Sequence, residues 1–140
     1  MKTNAPGHVP QNGFTLVECA TVCAMVGVLV AAALPSFQGH RLRIARLDAV
    51  DALTRVQAAQ EQHFARHGLY ATELSALQGV SATSLQGRYR LALQSTGTEA
   101  YRATAIAAGA QRDDSDCRAV TLDVTSGFVT NGPHAACWNR

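Results

Sequence analysis

The chain has 140 residues, of which 47% are hydrophobic and 16% charged, and a formal net charge of +2. That length sets a prior of one domain with an appendage, and so small a charge gives no electrostatic ground for a nucleic-acid partner. The averages hide a division: between Phe14 and Phe37 only Glu18 is charged, whereas charges of both signs are frequent afterwards. An apolar segment is therefore joined to a polar unit of roughly a hundred residues, small enough for a crosslink to matter.

Residues 1–13 hold two prolines, two glycines and no apolar period. They read as a short hydrophilic leader. Residues 14–34 follow as an apolar stretch of 21 residues, long enough to cross a bilayer as a helix. A secretory signal fits less well, because its apolar region is shorter and leads to a small-residue cleavage site. Ala31-Ala32-Ala33 imitates such a site. Pro35 lies inside the helical pattern and removes a backbone bond to the Ala31 carbonyl, so a kink or local loosening is expected there.

From Arg41 to Arg66 the helical pattern continues, with Ile44, Leu47, Val50, Leu53 and Val56 recurring every three residues and Phe64 following. Charges such as Arg46, Asp48, Asp51, Arg55 and Glu61 fall mostly between them, which predicts an amphipathic helix. His67-Gly68 ends it, with Gly68 as the C-cap. Residues 68–87 read as an irregular connection with short helical pieces. Strands are expected at Arg88–Gln94, Tyr101–Ala107 and Arg118–Thr125, where apolar and polar residues alternate, with a short fourth at Phe128–Thr130. Turn signals separate them at Ser95-Thr-Gly-Thr, Asp113-Asp-Ser-Asp and Ser126-Gly127.

The expected fold is therefore α+β: a long N-terminal helix, its apolar half transmembrane, its second half packed on a small antiparallel sheet of three or four strands. The expected divisions are a leader at 1–13, a helix half at 14–37 and a globular unit at 38–140.

Four cysteines form two pairs. Cys117 and Cys137 read as a disulfide if the domain lies outside the cytoplasm, and closing that loop stabilises by roughly 3 kcal/mol in the chain-entropy model. Cys19 and Cys23 stand one helical turn apart, too far to bond to each other, and read as small packing residues.

The most informative string is Gly13-Phe14-Thr15-Leu16-Val17-Glu18, which leads straight into the apolar run. A carboxylate near the end of a spanning helix is unfavourable by roughly 2–3 kcal/mol unless paired. Cutting between Gly13 and Phe14 would create an amino group one turn before Glu18, on the same helix face. Ammonium and carboxylate, in one chain or in neighbours, would then compensate each other. Gly13 suits such a cut because a residue without a side chain lets a protease approach the backbone.

This string, followed by some twenty apolar residues, resembles the class III signal of type IV prepilins and pseudopilins. The resemblance implies that prepilin peptidase, a membrane aspartyl enzyme, cuts after Gly13 and N-methylates Phe14. It implies that Glu18 guides docking by pairing with the Phe14 amine of a neighbour. It also implies that the helix between Gly27 and Pro35 loosens in the assembled filament. Gly68-Leu69-Tyr70-Ala71, Ser115-Asp116-Cys117 and Cys137-Trp138 resemble PilE-type minor pilins of type IVa pili, whose C-terminal loop is bounded by a disulfide.

The function expected from the resemblance is a structural subunit, a minor pilin, of a type IV pilus. Its partners would be other pilins, the peptidase, the inner-membrane assembly platform and, before assembly, membrane lipid. It would start as a single-pass inner-membrane precursor with a periplasmic C-terminal domain and end in the extracellular pilus. A pseudopilin of type II secretion is a rival that Cys117 and Cys137 disfavour. A DNA-uptake or adhesive pilin is another, with nucleic acid the lesser expectation. Two features depart from the pattern: Gln11-Asn12 replace a basic residue before the cleavage glycine, and Arg41, Arg43 and Arg46 sit on the periplasmic side, against the positive-inside tendency.

Other residues have plainer readings. His63 and His67 have metal-ligand spacing, but with no third ligand evident they read as a solvated helix end. Asp113, Asp114 and Asp116 lack the spacing of a calcium loop and read as a solvated turn. Arg41, Arg43 and Arg46 read as solvated or as paired with acids on adjacent subunits. Tyr89 and Tyr101 read as core, and Trp138 as packing on the disulfide. No catalytic constellation stands out, so no enzyme, no cofactor and no metal are expected.

Overall fold

A computed structural model describes residues 14–139, with the backbone alone at 34–36. The expected leader at 1–13, including Gly13, lies outside the described residues. Contacts divide the chain into one unit ending at Phe37 and a second beginning at Gln38. The helix α1 (Leu16–His67) has 52 residues and is assigned as continuous helix through Gly27 and Pro35.

The second unit joins the later turns of α1 to a four-stranded sheet. Its strands are β1 (Tyr89–Gly97), β2 (Ala100–Ala107), β3 (Ala119–Thr125) and β4 (Phe128–Gly132), in the order β1-β2-β3-β4. Every neighbouring pair is antiparallel. The alternation in sequence maps onto the two faces of the sheet. Tyr89, Tyr101, Ala103, Ala105, Val120, Leu122 and Val124 are buried and form one core with Ala49, Leu53 and Val56 of α1.

The helix face departs from expectation at its start: Leu53 and Val56 are buried and Val50 and Phe64 pack against the core as expected, but Ile44 and Leu47 before them do not. Ile44 and Leu47 are 50% and 54% exposed, while Ala45, Ala49, Ala52, Leu53, Val56 and Gln60 are buried. A three-residue repeat drifts by about 60° per step against a helix of 3.6 residues per turn, so over nine residues Ile44 comes to lie about 180° from Leu53. The buried face follows steps of three and four, with Ala45, Ala49 and Ala52 leading into Leu53 and Val56.

The strands differ from expectation at their ends. β1 runs on to Gly97, with a register shift between Ser95 and Gly97, so the hairpin turn falls at Thr98-Glu99 instead of Ser95–Thr98. Arg88 and Arg118 stand outside the strands. Ser126 and Gly127, at φ 47° and 80°, join β3 to β4. Two successive left-handed residues match the twist of a tight hairpin. Gly68, at φ 72°, closes α1 by donating its N–H to the Phe64 carbonyl at 2.8 Å.

Buried polar side chains of α1 fasten the irregular segments. Gln60 brackets Ala71, accepting its N–H at 2.8 Å and donating to its carbonyl at 3.0 Å. Asp48 accepts from the Ser84 hydroxyl at 2.6 Å and from the Gln86 N–H at 3.1 Å. Both satisfy backbone or hydroxyl groups that burial would otherwise leave at a penalty of about 1–3 kcal/mol. Tyr70 packs between Phe64, tilted at 34°, and Tyr101, met edge-on at 65°, with ring centroids 4.7 and 4.8 Å away.

Candidate functional site

The first unit carries the candidate assembly element. Residues Leu16–Ala33 have a mean hydropathy of 2.2, and none of them is buried within the chain. Phe14 is 80% exposed. Thr15 is the N-cap of α1: its Oγ1 accepts the Glu18 N–H at 3.3 Å, and its carbonyl accepts the first helical bond, from Cys19, at 3.1 Å. Thr15-Leu16-Val17-Glu18 thus has capping-box spacing, and the acid sits at the helix N-terminus, where the dipole favours a negative charge. Sequence reading missed this cap, although the Thr-x-x-Glu signal was there to find it. The Glu18 carboxylate itself makes no hydrogen bond among the described residues. Cys19 and Cys23 are both exposed free thiols. An added Cβ at Gly27 would meet nothing within 4 Å.

In the second unit, Cys117 and Cys137 form a disulfide, closing a loop of sequence separation 20. Trp138 is buried beside it and donates its indole N–H to the Gly132 carbonyl at 2.9 Å. The imidazole of His134 lies 3.6 Å from Cys137 Sγ.

Two expectations for charged residues are corrected here. Arg46 is not solvated or free for a neighbour, and Asp114 is not part of a solvated turn. Arg46 donates through Nε and Nη2 to both Asp114 oxygens at 2.7 Å, with side chains only 9% and 5% exposed. Nη1 of Arg46 also reaches the Ala136 carbonyl at 3.1 Å. The hydrogen bond to Asp114 raises the Arg46 pKa above its ordinary value, against the opposing effect of burial. This planar fork locks α1, the 109–117 segment and the C-terminal turn together, a geometry that guanidinium and carboxylate match bidentately. Sequence showed the residues but not the pairing, because 68 positions separate them.

Asp113 and Asp116 remain exposed, as do Arg41 and Arg43. His63 and His67 stack with ring centroids 4.4 Å apart at the end of α1. Tyr89 and Tyr101 are core residues whose hydroxyls lack a hydrogen-bond partner among the described residues. Burial raises both tyrosine pKa values, that of Tyr89 to about 12.

Comparison with known proteins places this arrangement. The protein-family model described as "Type IV minor pilin ComP, DNA uptake sequence receptor" matches residues 35–121, more than half of the chain. The chain is similar to the type IV major pilin protein PilE of Neisseria gonorrhoeae, at 32% identity over 79 residues, covering 56% of this chain and 47% of that protein. It is similar to a fimbrial protein of Neisseria meningitidis serogroup A, 32% identical over 79 residues, covering 56% of this chain and 46% of that one. It is also similar to the fimbrial protein EcpC of Eikenella corrodens, 29% identical over 108 residues, covering 72% of this chain and 69% of that one. The chain thus spans about half the length of the Neisseria relatives it matches. With a long helix on a four-stranded antiparallel sheet, a C-terminal disulfide and a family match over more than half its length, the chain belongs to the type IV minor pilin family.

Proposed function

We propose that this chain is a structural subunit, a minor pilin, of a type IV pilus. It is made as a single-pass inner-membrane precursor with its C-terminal domain in the periplasm. Prepilin peptidase cuts after Gly13 and methylates Phe14. The assembly platform then moves the subunit into an extracellular filament, where helices of other pilins replace lipid around its apolar half.

The observation that carries this reading is the unburied apolar run Leu16–Ala33, headed by one carboxylate. A helical run of eighteen residues, apolar but for Glu18 and Thr21, with nothing of its own chain over it requires either hydrocarbon or other helices as surroundings. Glu18 fits the transfer between the two. In lipid it stays near the interface, at the favourable end of the helix dipole. In the filament the free amine of Phe14 in the neighbouring subunit neutralises it. Gly27 and Pro35 supply the weak points at which α1 loosens under assembly.

The test is mass spectrometry of sheared filaments together with Glu18 variants. Wild type should start at methylated Phe14 and be a trace component. Glu18→Val should be processed after Gly13 yet be largely absent from filaments. Glu18→Gln, which keeps an acceptor at the capping-box position but no charge, should fail in the same way. Normal incorporation of Glu18→Gln would mean that Glu18 serves the helix end and not subunit pairing.

The description of the matching family favours a second reading, in which the pilin captures DNA during uptake. Exposed Arg90, Arg112 and Arg118 supply positive charge for phosphates. A duplex affinity of the full chain in detergent that falls steeply with salt would support this reading, and its absence at low salt would remove it.

A further inference from the structure

We propose that the cleft between α1 and the 108–113 segment holds the phosphate of an anionic phospholipid while the subunit waits in the membrane, which rests on the proposed pilin function. The cleft measures about 500 Å³ and lies wholly within the second unit. Arg41 of α1 lines it from one side and Arg88, just before β1, from another, with Leu42, Ala45, Ala108 and Ala110 as apolar wall.

Three observations point to this occupant. The first is unsatisfied charge. Arg46, Arg55 and Arg102 each have a carboxylate partner, whereas among the described residues Arg41 and Arg88 have none. Asp113 also lines the cleft, so two guanidinium groups face one carboxylate and the cleft retains a positive charge. The second is chemistry. Guanidinium is the side chain best matched to phosphate oxygens, through two parallel N–H donors. An apolar wall beside such a pair suits a ligand that carries a phosphate on a greasy body, as a phospholipid does. The third is position along the chain. Arg41 is the first charged residue after the apolar run that ends at Ala33, eight residues earlier. Cations just outside a span draw anionic head groups to themselves, and Arg41 stands in that place, against the positive-inside tendency.

The consequence is a subunit tethered at two points, through its apolar helix and through a bound head group. Entry into the filament then requires release of that lipid.

The test places the full chain in nanodiscs containing phosphatidylglycerol diluted in phosphatidylcholine and reads co-purifying lipid by native mass spectrometry. Wild type should retain phosphatidylglycerol over phosphatidylcholine by roughly tenfold, the scale expected for one or two arginines at an anionic surface. Arg41→Gln/Arg88→Gln should lose that preference while keeping its disulfide and Trp138 emission. Arg55→Gln/Arg66→Gln removes the same charge from exposed positions outside the cleft and should keep the preference. Equal loss in both double variants, or no preference in wild type, would overturn the cleft. So would inorganic phosphate or duplex DNA displacing the lipid from Arg41 and Arg88 at equal concentration. None of these failures touches the pilin reading, which the N-terminus and filament content of sheared material decide separately.

Discussion

Replacing Asp114 with Ala tests whether the buried ion pair holds the second unit together. The substitution removes two of the three hydrogen bonds that Arg46 makes, those at 2.7 Å, and leaves its bond to the Ala136 carbonyl at 3.1 Å. A side chain only 9% exposed has little access to replacement water. Stranding one partner of such a pair destabilises by 3–5 kcal/mol in general. The surviving bond to Ala136 puts the expectation near the lower end, about 3 kcal/mol. Gln111 Nε2, which donates to Asp114 Oδ2 at 3.1 Å, keeps its bond to the Leu42 carbonyl at 3.2 Å and does not add to the loss. For a domain near a hundred residues, that loss lowers Tm by about 12–24 °C. The chain has one tryptophan. Trp138 is buried in the turn that Arg46 grips, so its fluorescence during guanidinium unfolding of the full chain in detergent reports the event directly. Arg46→Met/Asp114→Leu, which replaces both charges by apolar groups, should return to within about 1 kcal/mol of wild type. An Asp114→Ala protein within 1 kcal/mol of wild type would refute the argument that this pair is desolvated and structurally required.

Other perturbations have equally definite outcomes. Tyr89 and Tyr101 are buried and protonated, with pKa values raised by desolvation, Tyr89 to about 12. A raised folded-state pKa contributes stability below the unfolded value near 10 and loses it as pH climbs towards the folded value. Stability should thus fall between pH 10 and 12 by about 1.4 kcal/mol per unit for each tyrosine; a flat profile in alkaline guanidinium titrations would contradict their burial. Cys117→Ala/Cys137→Ala opens a loop of separation 20 and should cost about 3 kcal/mol in the same unfolding assay. At Gly132, an added Cβ would stand 2.6 Å from Thr121 Oγ1 across the β3–β4 pair. Gly132→Ala should therefore destabilise by about 1–3 kcal/mol, and adding Thr121→Ala should recover most of it; failure of that rescue would place the strain elsewhere.

Local chemistry makes part of this molecule legible in its sequence. The apolar run, the α+β order of elements and the Cys117–Cys137 pair each rest on short-range pattern or compartment logic, and the structure contains all three. Gly68 was readable as a helix end because only a residue without a side chain enters a left-handed cap freely. A step of three places Leu53 and Val56 correctly but not Ile44 and Leu47, which face outward while Ala45, Ala49 and Ala52 are buried.

Sequence by itself determined that one end of this chain needs a surrounding other than water, and that a carboxylate stands at the head of that end. Those properties belong to consecutive residues, so a linear reading captures them. Only the tertiary structure decided which charges are partners. Arg46 finds Asp114 across 68 positions, Asp48 finds Ser84 across 36, and Arg41 and Arg88 are left facing an open cleft. Pairing of distant charges is set by which faces a helix and a sheet turn towards each other. That choice is made by the whole core at once, because an unpaired charge is tolerated only where the packing leaves it a route to solvent or to a ligand.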